Sequence, residues 1–234
     1  MIVIDAFNRG KITQLSLTQT KKYKTSYCHL QVYNDHSTEY DNSFLSSYAD
    51  EVIQLPNKMG SHNLRLYQFR KYLDTNYDFL YFTDSDVIHD PQYINILLAL
   101  YEIGYRKFPV CLYNSKDHSH ENNILDYRNG IFLRKTAPGV SMFYDKKMVE
   151  KIVTVIDKAS NEHANYNWDY RAIAYLGLPW ITPEKSYLEH YGGGGIHSTD
   201  YEKDRAINPT EYLQDRREAI LKYLTQDNKI EITF

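Results

Sequence analysis

Residues 79–87 read FLYFTDSDV, an apolar run that ends in two aspartates separated by one serine. A continuous apolar run such as Phe79–Phe82 is typical of a strand that is buried on both faces of a parallel sheet. Beyond the last hydrogen bond of this strand, Asp84 and Asp86 can both turn toward the crevice at the strand end. Two carboxylates so close together repel each other, and a hard divalent cation with oxygen ligands relieves that repulsion. The stretch therefore predicts a buried strand followed by a metal site.

A second interpretation of the two aspartates requires no ligand. They can belong to an acidic turn that caps the helix opened by Asp90 and Pro91. Two aspartates at this spacing are common in proteins, so the spacing alone decides little. The buried strand in front of them favours the metal interpretation.

Strand and helix patterns alternate on both sides of this stretch through the first 105 residues. Their order predicts an α/β fold with a mostly parallel, Rossmann-like central sheet flanked by helices. Because the carboxyl ends of parallel strands lie at one edge of a sheet, the polar residues after Ala6, Tyr33, Leu55 and Phe82 are expected to line one crevice. The strand patterns cover 1–6, 29–33, 51–55 and 79–82, and the helix patterns cover 12–22, 44–48, 63–73 and 91–105.

The second half of the chain has a weaker pattern. Gly192–Gly195 is a run of four glycines, where the backbone turns sharply or approaches a ligand closely. Gly192–Ser198 and the tail beyond it are therefore expected to form a flap that orders over a bound donor. Residues 118–130 are polar and are expected to form a loop. The strand patterns cover 110–113 and 139–144, and the helix patterns cover 146–159, 168–176 and 210–224.

Neither an internal repeat nor a linker interrupts the chain, so we expect residues 1–234 to form a single domain. Within it, 1–105 is interpreted as the nucleotide-binding half and 106–200 as the acceptor-binding and catalytic half. Residues 201–234 are interpreted as a C-terminal flap and helix.

Composition excludes some classes of protein and leaves others open. Lys and Arg number 27 against 30 Asp and Glu, so no overall basic field points to nucleic acid. The 23 tyrosines can stack on bases or sugars, or reflect compositional drift alone. Cys28 and Cys111 lack a CxxC spacing, which predicts free thiols in a reducing compartment. With neither a signal-peptide pattern nor an apolar run near the ~18 residues of a membrane span, a cytoplasmic protein without a transmembrane segment is expected.

The motifs, taken in order, resemble the GT-A nucleotide-sugar glycosyltransferases, in particular the inverting enzymes of family two. Asp84-Ser85-Asp86 between an apolar strand and a Pro-initiated helix resembles their metal motif. Phe7-Asn8-Arg9 resembles the opening of these enzymes, and Tyr33–Glu39 resembles their second-strand turn, with Asn34 and Glu39 as departures. Gly60 followed by Arg65 resembles the glycine and basic residue that approach the diphosphate or the sugar.

The resemblance continues to about residue 200. Asn167–Arg171 resembles the element that supplies the catalytic base. Three further stretches resemble the region that closes the donor site in relatives of N-acetylglucosaminyltransferase I; they are 183–186, 190–192 and 195–198. The last 30 or so residues resemble no element of the family.

The resemblance implies a metal-dependent transfer of a sugar from a nucleotide diphosphate, with UDP expected, to a hydroxyl acceptor with inversion. The acceptor is left open among a glycan, a lipid-linked sugar, a protein and a modified nucleic-acid base. Mn²⁺ or Mg²⁺ is expected on Asp86 and Asp84, with His197 preferred to His190 as a third ligand. Asp169 is the expected catalytic base. The residues expected to bind the nucleotide-sugar are Phe7, Arg9, Asp35, Arg65, Asp84 and Ser85.

Two other functions remain open from the sequence. One is a non-catalytic module that binds a nucleotide or sugar, in which the two aspartates only cap structure. The other is a nucleotidyltransferase, which also combines a parallel sheet with metal-binding carboxylates. Such an enzyme normally has a glycine-rich basic loop after its first strand, whereas Phe7–Lys11 contains one glycine.

Overall fold

A mostly parallel sheet lies at the centre of the fold in the computed structural model, which describes residues 1–158, 173–174, 176–192, 205–226, 232 and 234. In chain order the helices and strands are β1 (Ile2–Ala6), α1 (Gly10–Tyr23), β2 (Leu30–Asn34), α2 (Asn42–Ser46), β3 (Glu51–Gln54), α3 (Gly60–Leu73), β4 (Phe79–Asp84), β5 (Val87–His89), α4 (Tyr93–Ile103), β6 (Ile124–Arg128), β7 (Ile131–Arg134), β8 (Ser141–Asp145), α5 (Lys146–Lys158), β9 (Trp180–Pro183), β10 (Leu188–His190) and α6 (Glu211–Thr225).

The central sheet has the strand order β3-β2-β1-β4-β8. Strands β1 to β4 run parallel to one another, and β8 runs antiparallel to β4. Leu80, Tyr81 and Phe82 on β4 are at most 2% exposed, as the apolar run predicts. The alternation of strand and helix in the first 105 residues is confirmed, and with it the mostly parallel α/β fold. The four parallel strands bring their carboxyl ends to one edge.

Two smaller sheets complete the described part of the molecule. β5 pairs antiparallel with β10, and β6, β7 and β9 form an antiparallel sheet of three strands. Val110 connects this sheet to the central one, because it bridges both Phe143 and Ile181. The strand expected at 110–113 is therefore reduced to isolated bridges between two sheets.

Residues 118–130 are not the plain loop that their polarity suggests. They contain a short 3-10 turn at Glu121–Asn123 and the strand β6, which forms a hairpin with β7. Asn129 and Gly130 close the hairpin with φ of 51° and 78°, the left-handed conformation that a two-residue turn of this kind requires. β6 is largely exposed, so it lacks the apolar run by which a buried strand is recognised.

Helix α6 packs against elements of the first half of the chain. Leu213 and Ile220 of α6 form a buried cluster with Ile12, Leu15 and Ile88. This packing places α6 against α1 and β5, next to the strand ends. Among the residues that the structure describes, no helix is long and apolar enough to cross a membrane.

Candidate metal and donor site

The loops that follow β1 and β2 are joined at the carboxyl edge of the sheet. The backbone N–H of Asp35 donates to the carbonyl of Ala6 at 3.0 Å, immediately beyond the strands. Asn8 Oδ1 accepts a hydrogen bond from the N–H of Thr38 at 2.8 Å, and the N–H of Asn8 donates to Ser37 Oγ at 3.1 Å. The polar residues after these strands therefore share one crevice, as the parallel order predicts.

Asp84, Asp86 and His190 form a cluster at this edge. One ligand atom from each lies within 4.8 Å of the others, and all three side chains are partly buried. Asp86 Oδ1 is 3.3 Å from His190 Nε2. The pairing of β5 with β10 sets His190 opposite Val87, and the N–H of Tyr191 donates to the Asp86 carbonyl at 2.8 Å. A short antiparallel ladder thus brings the imidazole to the acidic pair.

The two carboxyl groups of the cluster differ in their electrostatics. Burial raises the pKa of Asp84, and the Asp86 carboxylate raises it further, while the Arg65 guanidinium opposes both. Burial would also raise the pKa of Asp86, but His190 and Arg9 outweigh it and lower that pKa below its usual value. Asp86 is therefore the more firmly ionised member. Two carboxylates and one imidazole suit a divalent cation such as Mn²⁺ or Mg²⁺, so the residues fit the expected ion.

Arg65 is buried next to the cluster and forms an ion pair with the carboxylate of Asp84. Its side chain is 3% exposed, and its Nη2 is 2.8 Å from Asp84 Oδ1 and 3.1 Å from Asp5 Oδ2. Gln68 also donates a hydrogen bond to Asp5. The guanidinium lies 4.7 Å from the centre of the Phe82 ring. Arg65, expected near the diphosphate, thus contacts the crevice through the carboxylate of Asp84.

Arg9 contacts the other carboxylate of the pair. Its Nη1 lies 2.5 Å from Asp86 Oδ2, and its Nη2 donates a hydrogen bond to the carbonyl of Tyr191. The backbone at Asn8 and Arg9 is left-handed, with φ of 54° and 61°. Two such residues in succession are unusual outside glycine, and backbone of this kind is concentrated at ligand sites.

The residues expected to bind the nucleoside lie on the neighbouring strand ends. Asp35 is 7% exposed, and its Oδ1 accepts a hydrogen bond from the N–H of Met59 at 3.0 Å. Phe7 is half-buried, and Lys58 Nζ lies 3.8 Å from the centre of its ring. Ser85 is half-buried between the two aspartates.

The structure adds residues to the site and leaves others untested. His190 joins the cluster, although the sequence favoured His197; the resemblance had indicated both. Asp5 supports Arg65, and its only signal was a charged residue inside the apolar run of the first strand. His197 and Asp169 lie outside the described residues, as does Gly193–Gly195 of the expected flap, so their roles remain predictions.

Comparison with known proteins agrees with the α/β fold. The family model described as glycosyl transferase family 2 matches residues 1–135. The crystal structure of S. aureus TarS 1-349 is similar with a TM-score of 0.55 and 13% sequence identity. The match covers 80% of this chain but only 58% of that one, and at this identity it concerns the fold alone. No curated protein matches the chain at a significant level. Because the family model covers more than half of its residues, the chain belongs to glycosyl transferase family 2, whose members are glycosyltransferases of the GT-A fold.

Proposed function

We propose that the protein transfers a sugar from a UDP-linked donor to a hydroxyl acceptor in a reaction that requires a divalent metal and inverts the sugar carbon. Membership of the family supports glycosyl transfer between a nucleotide-sugar and an acceptor. The observation that carries the finer proposal is the cluster of Asp84, Asp86 and His190 at the carboxyl edge of the parallel strands. Ligands of open parallel sheets bind at this edge.

The cluster would hold Mn²⁺ or Mg²⁺ through Asp86 and Asp84, with His190 as the nitrogen ligand. Such an ion neutralises the negative charge that develops on a nucleoside diphosphate as it leaves. His190 is chosen over His197 because its Nε2 lies 3.3 Å from Asp86 Oδ1. Arg65 keeps one oxygen of Asp84 in place by its 2.8 Å contact, and Asp5 contacts the same Arg65 nitrogen at 3.1 Å.

The donor would lie along the ends of β1, β2 and β4. Asp35 would accept a hydrogen bond from the base or the ribose, and Phe7 would offer an aromatic face at the adjacent strand end. Arg9 and Ser85 would contact the diphosphate. These assignments are supported by the joined loops after β1 and β2, which bring the two strand ends into one crevice.

Asp169 is proposed as the general base that removes the proton from the acceptor hydroxyl. An inverting displacement requires one base on the face of the sugar opposite the leaving group. The support for this role is the resemblance of Asn167–Arg171 to the base element of the family.

The metal assignment is tested by isothermal titration of UDP in the presence of Mn²⁺. Asp86→Ala should abolish UDP binding while its circular dichroism spectrum stays that of the wild type. Asp126→Ala is the control, because it removes a carboxylate from the exposed hairpin, where Asp126 pairs with Arg128. If Asp86→Ala binds UDP as tightly as the wild type, the cluster does not hold the ion.

A second measurement separates transfer from simple binding. Release of UDP from a panel of UDP-sugars, with water or a hydroxyl acceptor, should occur only with the divalent ion. Binding of UDP-sugars without release supports a non-catalytic module. Turnover of nucleoside triphosphates instead supports a nucleotidyltransferase.

A further inference from the structure

The guanidinium of Arg9 neutralises the same carboxylate that the proposed ion would use. Its Nη1 is 2.5 Å from Asp86 Oδ2, while the second oxygen of Asp86 faces His190. The side chains of Arg9 and Asp86 are 22% and 16% exposed, so solvent screens their contact only in part. A second Arg9 nitrogen is held by the carbonyl of Tyr191. Arg9 thus provides a fixed positive charge at the cluster.

The base of the Arg9 side chain is firmly anchored. The preceding residue, Asn8, is held by Ser37, Thr38 and Tyr40, with the Tyr40 hydroxyl donating to the Asn8 carbonyl at 3.0 Å. The carbonyl of Arg9 itself accepts the N–H of Thr13 at 3.1 Å in the first turn of α1. A change in the partner of Arg9 would therefore involve its long side chain and leave the backbone where it is.

A divalent cation and a guanidinium compete at one carboxylate. A cation bound between Asp84 and Asp86 lies within a few ångströms of Arg9 and repels it, which weakens binding of the ion alone. The repulsion is removed when an anion arrives for Arg9 to pair with. A diphosphate group offers oxygens that arginine binds well, often through two parallel hydrogen bonds.

We propose that Arg9 makes the binding of the ion and of the nucleoside diphosphate mutually dependent. The side chain pairs with Asp86 before the donor arrives and transfers to a diphosphate oxygen when the ion and the donor enter together. The free ion is then held weakly, and the ion with its diphosphate is held tightly. This inference rests on the proposed metal-dependent donor site, and it adds that a cation of the chain itself sets the order of binding.

The test compares Mn²⁺ affinity with and without UDP, measured by calorimetry and by the electron paramagnetic resonance signal of free Mn²⁺. Arg9→Gln should bind free Mn²⁺ about fivefold or more tightly than the wild type, since the competing charge is gone. It should bind UDP more weakly in saturating Mn²⁺, since the diphosphate has lost a partner. UDP should therefore tighten Mn²⁺ binding much less in the variant than in the wild type.

Two further variants complete the design. Lys11→Gln removes one positive charge from the first turn of α1, two residues after Arg9, at an exposed side chain that contacts Gln226, and should leave both affinities unchanged. Arg9→Lys keeps the charge but loses the two-pronged contact, so it should lie between the wild type and Arg9→Gln. Arg9→Lys also tests the inference if Arg9→Gln does not fold.

The outcomes distinguish this inference from the function on which it rests. Unchanged or weaker binding of free Mn²⁺ by Arg9→Gln, with a wild type that binds UDP only with the ion, overturns the coupling role alone. A wild type that binds UDP equally well without the ion overturns the metal site and the coupling together.

Discussion

Asp35 is a buried acid that directly follows the second parallel strand. Its carboxylate already accepts the N–H of Met59 at 3.0 Å, which fixes its orientation before any ligand binds. A side chain fixed in this way loses little conformational freedom when it binds a nucleoside. The sequence makes it a candidate because it follows an apolar strand inside a polar turn.

Replacement of Asp35 by Ala should weaken the binding of UDP by about 1–3 kcal/mol, the usual cost of losing a buried hydrogen bond to a charged group. Titration calorimetry in Mn²⁺ measures the change. Asp41→Ala is the matched control, because Asp41 also accepts a backbone N–H, from Phe44, but is exposed at the start of α2. An unchanged dissociation constant in Asp35→Ala would place the nucleoside elsewhere.

Removal of Asp169 should change the rate of transfer, whereas removal of Asp35 should change the affinity for UDP. A general base acts in the transition state and contributes little to donor binding, so Asp169→Asn should leave UDP affinity nearly intact. The rate of transfer should fall by about 10² to 10⁴, the usual contribution of a positioned base. Initial rates with a UDP-sugar and its acceptor, beside a UDP titration, test both halves.

The stereochemistry of the product provides an independent check on Asp169. A single displacement gives a sugar linkage of opposite anomeric configuration to the donor, which NMR spectroscopy reports directly. Retention of configuration, or full activity in Asp169→Asn, would remove this residue from the proposed mechanism.

Elements of the first half could be predicted far better than those of the second. β1 to β4 are apolar runs or alternating segments separated by amphipathic helices, so local pattern suffices. β5 and β10 have three residues each and exist because they pair with each other across the fold. Local sequence does not encode such a pairing, and for this reason the place of His190 beside the two aspartates could not be predicted in advance.

The sequence did not predict the hairpin of β6 and β7, for a different reason. Strand β6 is exposed and therefore has no apolar pattern. Asn129-Gly130 is a strong turn signal, but it was overlooked because the whole segment is polar. The antiparallel direction of β8 was also beyond reach, because strand direction depends on the connections around it.

The element that carries His190 is fastened to α6 by a buried ion pair. Glu189 Oε1 lies 2.5 Å from Arg217 Nη1, and the two side chains are 1% and 8% exposed. Burial raises the pKa of Glu189 to about 7, although Arg217 opposes that rise. The Glu189 carboxylate also accepts the N–H of Ala206 at 3.1 Å. β10 and α6 therefore share one desolvated contact next to the cluster of Asp84, Asp86 and His190.

Arg217→Met should lower the free energy of unfolding by about 3–5 kcal/mol, because it leaves the Glu189 carboxylate buried without its cation. The double variant Glu189→Gln with Arg217→Met should recover much of that loss. Denaturant unfolding followed by circular dichroism measures both. Equal stability of the single variant and the wild type would mean that α6 is not held at this point.

The site joins residues that the family model matches with residues that lie beyond its match. That model matches residues 1–135 and so includes both aspartates, Arg9 and Arg65, but neither His190 nor α6. The shared part provides the parallel sheet and the acidic pair. The remainder contributes the imidazole and the helix that holds its strand, which explains why the family could be predicted from the sequence and the complete cluster could not.

The ladder between β5 and β10 has a consequence for the order in which the molecule is made. Its partners, such as His89 and Leu188, are separated by roughly 100 residues. Closing so long a loop costs entropy, and contacts between distant residues form slowly. When residues 1–135 have been synthesised, Asp84 and Asp86 are already present, but His190 and α6 are still to be made. The acidic pair is therefore synthesised roughly 100 residues before the imidazole that completes the cluster.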